Sequence, residues 1–217
     1  EKGNEIEHEL GLLNLVSYAK VRNKVVLVPV NGATVPANVK QEINAVFAQS
    51  VAEWDVVIDA AFTVDPSVLE KLDEGESGML ASFPKNMRDF IQTFKSERDE
   101  DKNAYYLFII PGKQSTRAGF MPFKRQFGFI YPANTNNSAR TIAHELGHGA
   151  FRLRHTFSPE ALIAGQGKTN NLMDYPPGPE LRKYQWDNVH EPESMNGWFE
   201  DDAEVAMEEN QNFFSFL

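Results

Sequence analysis

"KVVLVPVNG", Lys24 to Gly32, is a nearly unbroken β-branched run closed by Asn-Gly. A strand with one wet face alternates apolar and polar residues, whereas a strand buried on both faces reads like this one. Such burial calls for helices on both sides of a sheet, and the sequence that follows supplies them. In "PANVKQEINAVFAQSVAEW", Val39, Ile43, Val46, Phe47 and Val51 recur at steps of three and four, which predicts an amphipathic helix. "WDVVIDAAFTV", Trp54 to Val64, reads as a second strand. After the acidic loop "LDEGESG", the stretch "NMRDFIQTFKSERDE" reads as a second helix with Met87, Phe90, Ile91 and Phe94 on its apolar face. "AYYLFIIPG" is a third strand, stopped by Pro-Gly. Strand, helix, strand, helix, strand is the order of a mostly parallel sheet with crossover helices.

The rhythm then changes. "AGFMPFKRQFGFIYP", Ala118 to Pro132, predicts two short strands with no helix between them. Pro122 cannot donate to a ladder, so the first of the pair belongs at a sheet edge. The second leads through "NTNNSA" into a helix that Asn137 or Ser138 can cap. Upstream, Leu10, Leu13, Val16 and Ser17 follow helical spacing and predict a modest lead-in helix. Beyond Phe157 periodicity is lost until "GPELRKYQWDNVH", Gly178 to His190, which can form one more helix. "GQGKT" (Gly165 to Thr169) lacks the first glycine of a phosphate loop, because that position is Leu162. We therefore expect a lead-in segment over 1–23, a main folded unit over 24–190 divided near residue 150, and an acidic tail over 191–217.

Bulk properties narrow the chemistry. The 217 residues are 41% hydrophobic, enough for a real core. The formal net charge is -10, which argues against nucleic acid or an anionic membrane as partner. No apolar run is long enough to span a bilayer. There are no cysteines, so a metal here must be held by His, Asp or Glu. Glu1 opens the chain and no secretory signal follows it, from which we expect a domain cut from a longer chain or a processed product.

The chemistry-bearing stretch is "TIAHELGHGA", Thr141 to Ala150. His144 and His148, four apart, share one face of the expected helix and can grip one Zn²⁺ at roughly 2.0–2.1 Å. Glu145, one position along from His144, is rotated from it by about 100°, placed as a base rather than a ligand, the mechanical content of His-Glu-x-x-His. Gly147 and Gly149 each lower helix propensity by roughly 1 kcal/mol, which points to close packing or room for a substrate. A catalytic zinc takes three protein ligands. The next histidine, His155 in "FRLRHTF", is the candidate third ligand if the chain breaks near Arg152 and turns back; otherwise it is a surface histidine beside two arginines. Asp174 and Asp187 are the substitutes, His190 a reserve, and His8 a surface residue.

His144, Glu145, His148 and His155, followed by Met173 in "NLMDY", resemble the metzincin clan of zinc endopeptidases. The order of elements is similar to that clan's upper subdomain. The resemblance covers roughly 24–190, and its specific part runs from His144 to Tyr175. It implies an α/β fold with a twisted, mostly parallel five-stranded sheet, one antiparallel edge strand, an active-site helix and an irregular lower subdomain ending in a helix. It implies one zinc ion on His144, His148 and His155, Glu145 as general base, Met173 beneath the metal, and Tyr175 contacting the metal or the oxyanion. Gly119, Phe120 and Met121 would form the edge strand on which an extended peptide lies. One departure stands out: "HGAFRLRH" is one residue longer than the clan's spacing and has Phe151 where a glycine falls, so we expect the helix to end in a different turn. The motif set also looks like metallopeptidase domains at the ends of bacterial polymorphic toxins and secretion-system effectors, which implies a secreted or delivered protein with a cognate immunity or inhibitor protein. The competing readings are a non-catalytic, zinc-stabilised protein-binding module and a zinc amidase acting on cell-wall peptide or side-chain amides.

Overall fold

The computed structural model describes residues 15–72, 83–112, 117–158 and 164–190. The expected strand-helix alternation is present: β1 (Val21–Pro29), α1 (Val39–Phe47), β2 (Ala52–Ile58), α2 (Pro66–Glu70), α3 (Lys85–Glu97), β3 (Ala104–Ile109), β4 (Gly119–Phe120), β5 (Phe127–Ile130), α4 (Ser138–Phe151) and α5 (Lys183–His190). The five strands form one sheet in the order β2-β1-β3-β5-β4. Every pairing is parallel except β4 against β5. The fold is thus mixed α/β with an antiparallel edge strand at β4, just before Pro122, where a proline costs no ladder hydrogen bond.

Alternate residues of the central strands serve two cores. Val25, Leu27, Leu107, Ile109 and Ile130 face α1 and α4, packing against Ile43, Phe47, Ile142 and Leu146. Val26, Val28, Tyr106, Phe108, Phe127 and Phe129 face α3 and meet Met87, Phe90 and Phe94. This second core is largely aromatic, with Phe90 and Phe94 edge-on to Phe108 at ring distances of 4.9 and 5.0 Å. The continuous β-branched reading of β1 follows from this double burial.

Several boundaries differ from expectation. Residues 15–20 of the expected lead-in helix are not helical, since nothing apolar faces Leu15, which is 91% exposed; residues 1–14 lie outside the described set. The second strand ends at Ile58, and Phe62 instead makes an isolated bridge to Val30. The last helix begins at Lys183 rather than near Gly178, because Gly178 N–H and Glu180 N–H are bonded to Asn171 and Asn170 carbonyls. The short α2 was unforeseen, though Asp65 caps it by accepting from Ser67 N–H at 2.9 Å and Pro66 occupies its first turn. The tail over 191–217 and most of the "LDEGESG" loop lie outside the described residues. Between α4 and α5 the described residues form turns only, apart from the Asn171–Glu180 bridge.

Candidate metal centre

The helix α4 runs along the sheet face opposite α3, capped by Asn137, whose side chain accepts from Arg140 N–H at 3.0 Å. Its inward stripe of Ile142, Ala143 and Leu146 enters the core. His144, Glu145 and His148 are 1%, 5% and 8% exposed, on a helix whose polar residues would ordinarily face water. Burial of three titratable side chains on one helix demands partners.

Those partners are specific. His144 Nδ1 lies 2.7 Å from Leu172 O, and His148 Nδ1 lies 2.7 Å from Leu153 O. A carbonyl only accepts, so both rings carry their proton on Nδ1 and present a bare Nε2 lone pair. The chain meanwhile turns back at Arg152, which is left-handed at φ 53 and ψ 32. Arg152 N–H bonds His148 O at 3.0 Å, and Leu153 N–H bonds Gly147 O at 2.9 Å. This wrap closes the helix end one residue later than the clan spacing would, and Arg152 adopts the conformation that glycine normally supplies. His155 consequently returns to the helix face and is 5% exposed.

The three Nε2 atoms form a near-equilateral triangle with edges of 3.1, 3.1 and 3.2 Å. At least two carry lone pairs there, and lone pairs do not hydrogen-bond to one another. Tetrahedral coordination at roughly 2.0–2.1 Å spaces neighbouring ligand nitrogens by about 3.3–3.4 Å, so the triangle fits a zinc-sized cation within a few tenths of an ångström. His144, His148 and His155 are a group able to hold a metal ion. Burial holds the His144 imidazole down to about 3, with His155 reinforcing it. His155 is held to about 3 by burial, and His148 lies well below its ordinary value for the same reason. Neutral imidazoles are the form a metal requires.

The surrounding residues sort cleanly. Met173 is fully buried, and a Cβ on Gly147 would lie 2.9 Å from its sulfur, so the missing side chain of Gly147 makes room for the Met173 thioether. The Met173 backbone is tied by its N–H to Asn171 Oδ1 at 2.9 Å and by its carbonyl to Thr156 N–H at 3.0 Å. The Tyr175 ring centre lies 5.2 and 4.7 Å from those of His144 and His155. Asp174 is not among the three residues of the group able to hold a metal ion. Its buried carboxylate accepts from Gly167 N–H, Tyr175 N–H, Thr169 N–H and the Thr169 hydroxyl at 2.6–2.8 Å. Burial opposes its ionisation, but those four bonds hold its carboxyl below the usual range. Asp187 sits on α5, where Lys183 and the Tyr18 hydroxyl donate to it, and His190 stacks on Tyr18 and bonds Ser50 O at 2.6 Å, so neither belongs to the centre. His8 lies outside the described residues. Two aromatic walls were not foreseen. Phe157 stacks on His155 at 4.8 Å, and Phe123 lies 5.4 Å from the His148 ring; neither has a spacing that marks it in sequence.

The Glu145 carboxyl lies against Gly119 of β4. Burial pushes its carboxyl up to about 8, opposed by a hydrogen bond from Met121 N–H and by the charge of Arg117. Among the described residues no helix is long and apolar enough to cross a membrane.

The sequence matches no protein-family model and no curated protein. Solved structures do resemble it. Archaemetzincin from Methanopyrus kandleri superposes with a TM-score of 0.50 at 14% identity, over 77% of this chain and 93% of that one. Metalloproteinase-II from Bacteroides fragilis gives 0.43 at 13% identity over 81% of this chain and 54% of that one, and a zinc-dependent peptidase from Methanocorpusculum labreanum gives 0.39 at 17% over 76% and 99%. At these identities the archaemetzincin likeness carries the fold: a mixed α/β sheet, mostly parallel, with one antiparallel edge strand.

Proposed function

We propose that this chain is a zinc-dependent endopeptidase in which His144, His148 and His155 hold one ion and Glu145 is the general base. The observation that carries the proposal is the buried triangle of Nε2 atoms, with two tautomers set by backbone carbonyls so that lone pairs converge. Zinc bound there supplies Lewis acidity, lowering the pKa of water from 15.7 toward about 7 and drawing down the raised pKa of the nearby carboxyl. The Glu145 carboxylate takes a proton from the attacking water and returns it to the leaving amine. Tyr175, flanking His144 and His155, is assigned to the oxyanion through its hydroxyl. Met173 supports the imidazoles from below. Gly119, Phe120 and Met121 offer the open edge of the sheet, where an extended peptide adds as a further strand. The solved structure whose likeness carries the fold is an archaemetzincin by name, which agrees with this reading. Delivery as a bacterial toxin or effector, countered by an immunity protein, rests on the motif likeness alone; its test is growth arrest on intracellular expression, relieved by Glu145→Gln.

The deciding experiment combines metal analysis with digestion of a mixed peptide library. We expect one zinc per chain and chelator-sensitive cleavage. Glu145→Gln should keep its zinc and lose at least about a hundredfold in rate, the low end of what a positioned base supplies. Zinc binding without cleavage would make the domain a binding module, and products retaining an intact backbone would make it an amidase.

A further inference from the structure

A Cβ placed on Gly119 would lie 2.5 Å from Glu145 Oε1, 2.7 Å from its Cγ and 2.8 Å from its Cδ. These are well inside the roughly 3.5–4.0 Å of ordinary carbon contact. The carboxyl of Glu145 therefore fills the space that any side chain at position 119 would take. Two residues along the strand, Met121 N–H donates to the same carboxylate. The Met121 side chain in turn occupies the space over Gly149, where a Cβ would collide with its sulfur and terminal methyl. Edge strand and helix α4 thus interlock through two glycines, one on each element, with Glu145 between them.

The strand cannot readily give way. Phe120, 7% exposed, is anchored between Phe83 and the sheet, and Tyr131 N–H bonds Ala118 O at 2.9 Å. Gly119 and Phe120 are in register with Ile130 and Phe129. The movable partner is the carboxyl itself.

We infer that Gly119 is the positioning residue for Glu145: its missing side chain is the seat of the base, and it ties the strand offered to substrate directly to the group that moves the proton. This inference rests on Glu145 being the base. Any side chain at 119 should displace the carboxyl while leaving the three histidines, which hang from Leu172, Leu153 and the α4 end, untouched.

The test is Gly119→Ala, alone and in a Glu145→Ala background. In the active protein we expect kcat to fall roughly ten- to hundredfold, the scale of an ångström of misplacement, with KM within about twofold and zinc still one per chain. In the metal-free protein Gly119→Ala should lower Tm by about 3 °C or more, from overpacking, and by under about 1 °C once Glu145 is alanine and the space is open. Equal Tm losses in both backgrounds would overturn the contact. An unchanged kcat with a raised KM would make Gly119 a substrate seat and overturn the positioning role. Glu145→Gln, assayed beside them, separates the failures. An active Glu145→Gln removes the base assignment and the positioning role together, whereas an inactive Glu145→Gln next to a fully active Gly119→Ala overturns the positioning role alone.

Discussion

Asp174 is the residue on which the turn carrying Met173 depends, and its charge acts on His144 and His155 as well. Both of its oxygens are fully used: Oδ1 accepts two backbone N–H groups, from Gly167 and Tyr175, and Oδ2 accepts Thr169 N–H and its hydroxyl. Asparagine has the same shape but only one acceptor oxygen. Placing its NH₂ at the Oδ1 position would face two obligate donors, so the amide must turn the other way. There the Thr169 hydroxyl can reverse and accept, but Thr169 N–H is left unpaired. One buried unsatisfied donor costs about 1–3 kcal/mol, and 1 kcal/mol shifts Tm by about 2–4 °C in a chain of this size. Asp174→Asn should therefore lower Tm by roughly 2–12 °C in the metal-free protein while zinc stays at one per chain. Loss of the ion with no loss of Tm would return Asp174 to the ligand set.

At the scale of elements the governing contact is α4 against the Met173 turn. Gly147→Ala sets two effects against each other: helix propensity gains about 1 kcal/mol, while the new Cβ lies 2.9 Å from the Met173 sulfur and 3.4 Å from Leu153 Cδ1. Overpacking of this kind costs about 1–3 kcal/mol, and the tied Met173 backbone limits relief. We expect a net loss of about 1 kcal/mol in denaturant unfolding; a net gain would show that the thioether swings clear. This contact also marks where sequence reading stops. β1 and β3 were legible because burial on both faces leaves an unbroken apolar run, and α4 because its cap, apolar stripe and i, i+4 histidines coincide on one helix. Gly147 and Gly149 were legible as signs of close packing, but not what packs there, since Met173 comes from a turn without periodicity and Met121 from the end of a two-residue edge strand. The return of His155 was open for the same reason. It depends on Arg152 taking a left-handed turn, a conformation that sequence favours only at glycine or asparagine. Phe123 and Phe157 reach the site only through the fold.

Across the whole molecule, the centre joins α4, the returning segment at Leu153–His155 and the carbonyl of Leu172, three stretches that share no sheet hydrogen bonds. Its titration should dominate the pH dependence of the metal-free protein. His144 and His155 sit near 3 when folded and His148 well below its ordinary 6.5, so the unfolded chain binds more protons as pH drops below about 6.5, and stability falls from there toward pH 3. Glu145 acts with the opposite sign. Its folded value near 8 exceeds the ordinary 4.5, so its contribution is complete below about 4.5 and is lost as pH rises through 8. Between 4.5 and 6.5 three histidines oppose one carboxyl and stability still rises with pH; between 6.5 and 8 the carboxyl acts alone and stability declines. Chelated protein should thus show a Tm maximum near pH 6.5, with the steeper limb on the acid side. Zinc at a thousand times its dissociation constant adds about 4.1 kcal/mol, or roughly 8–16 °C. It should also flatten the alkaline limb, because a cation beside Glu145 favours the carboxylate that burial disfavours. A metal-free Tm that climbs steadily from pH 6.5 to 8, or an alkaline limb that zinc leaves unchanged, would mean that Glu145 is not buried against β4 as described.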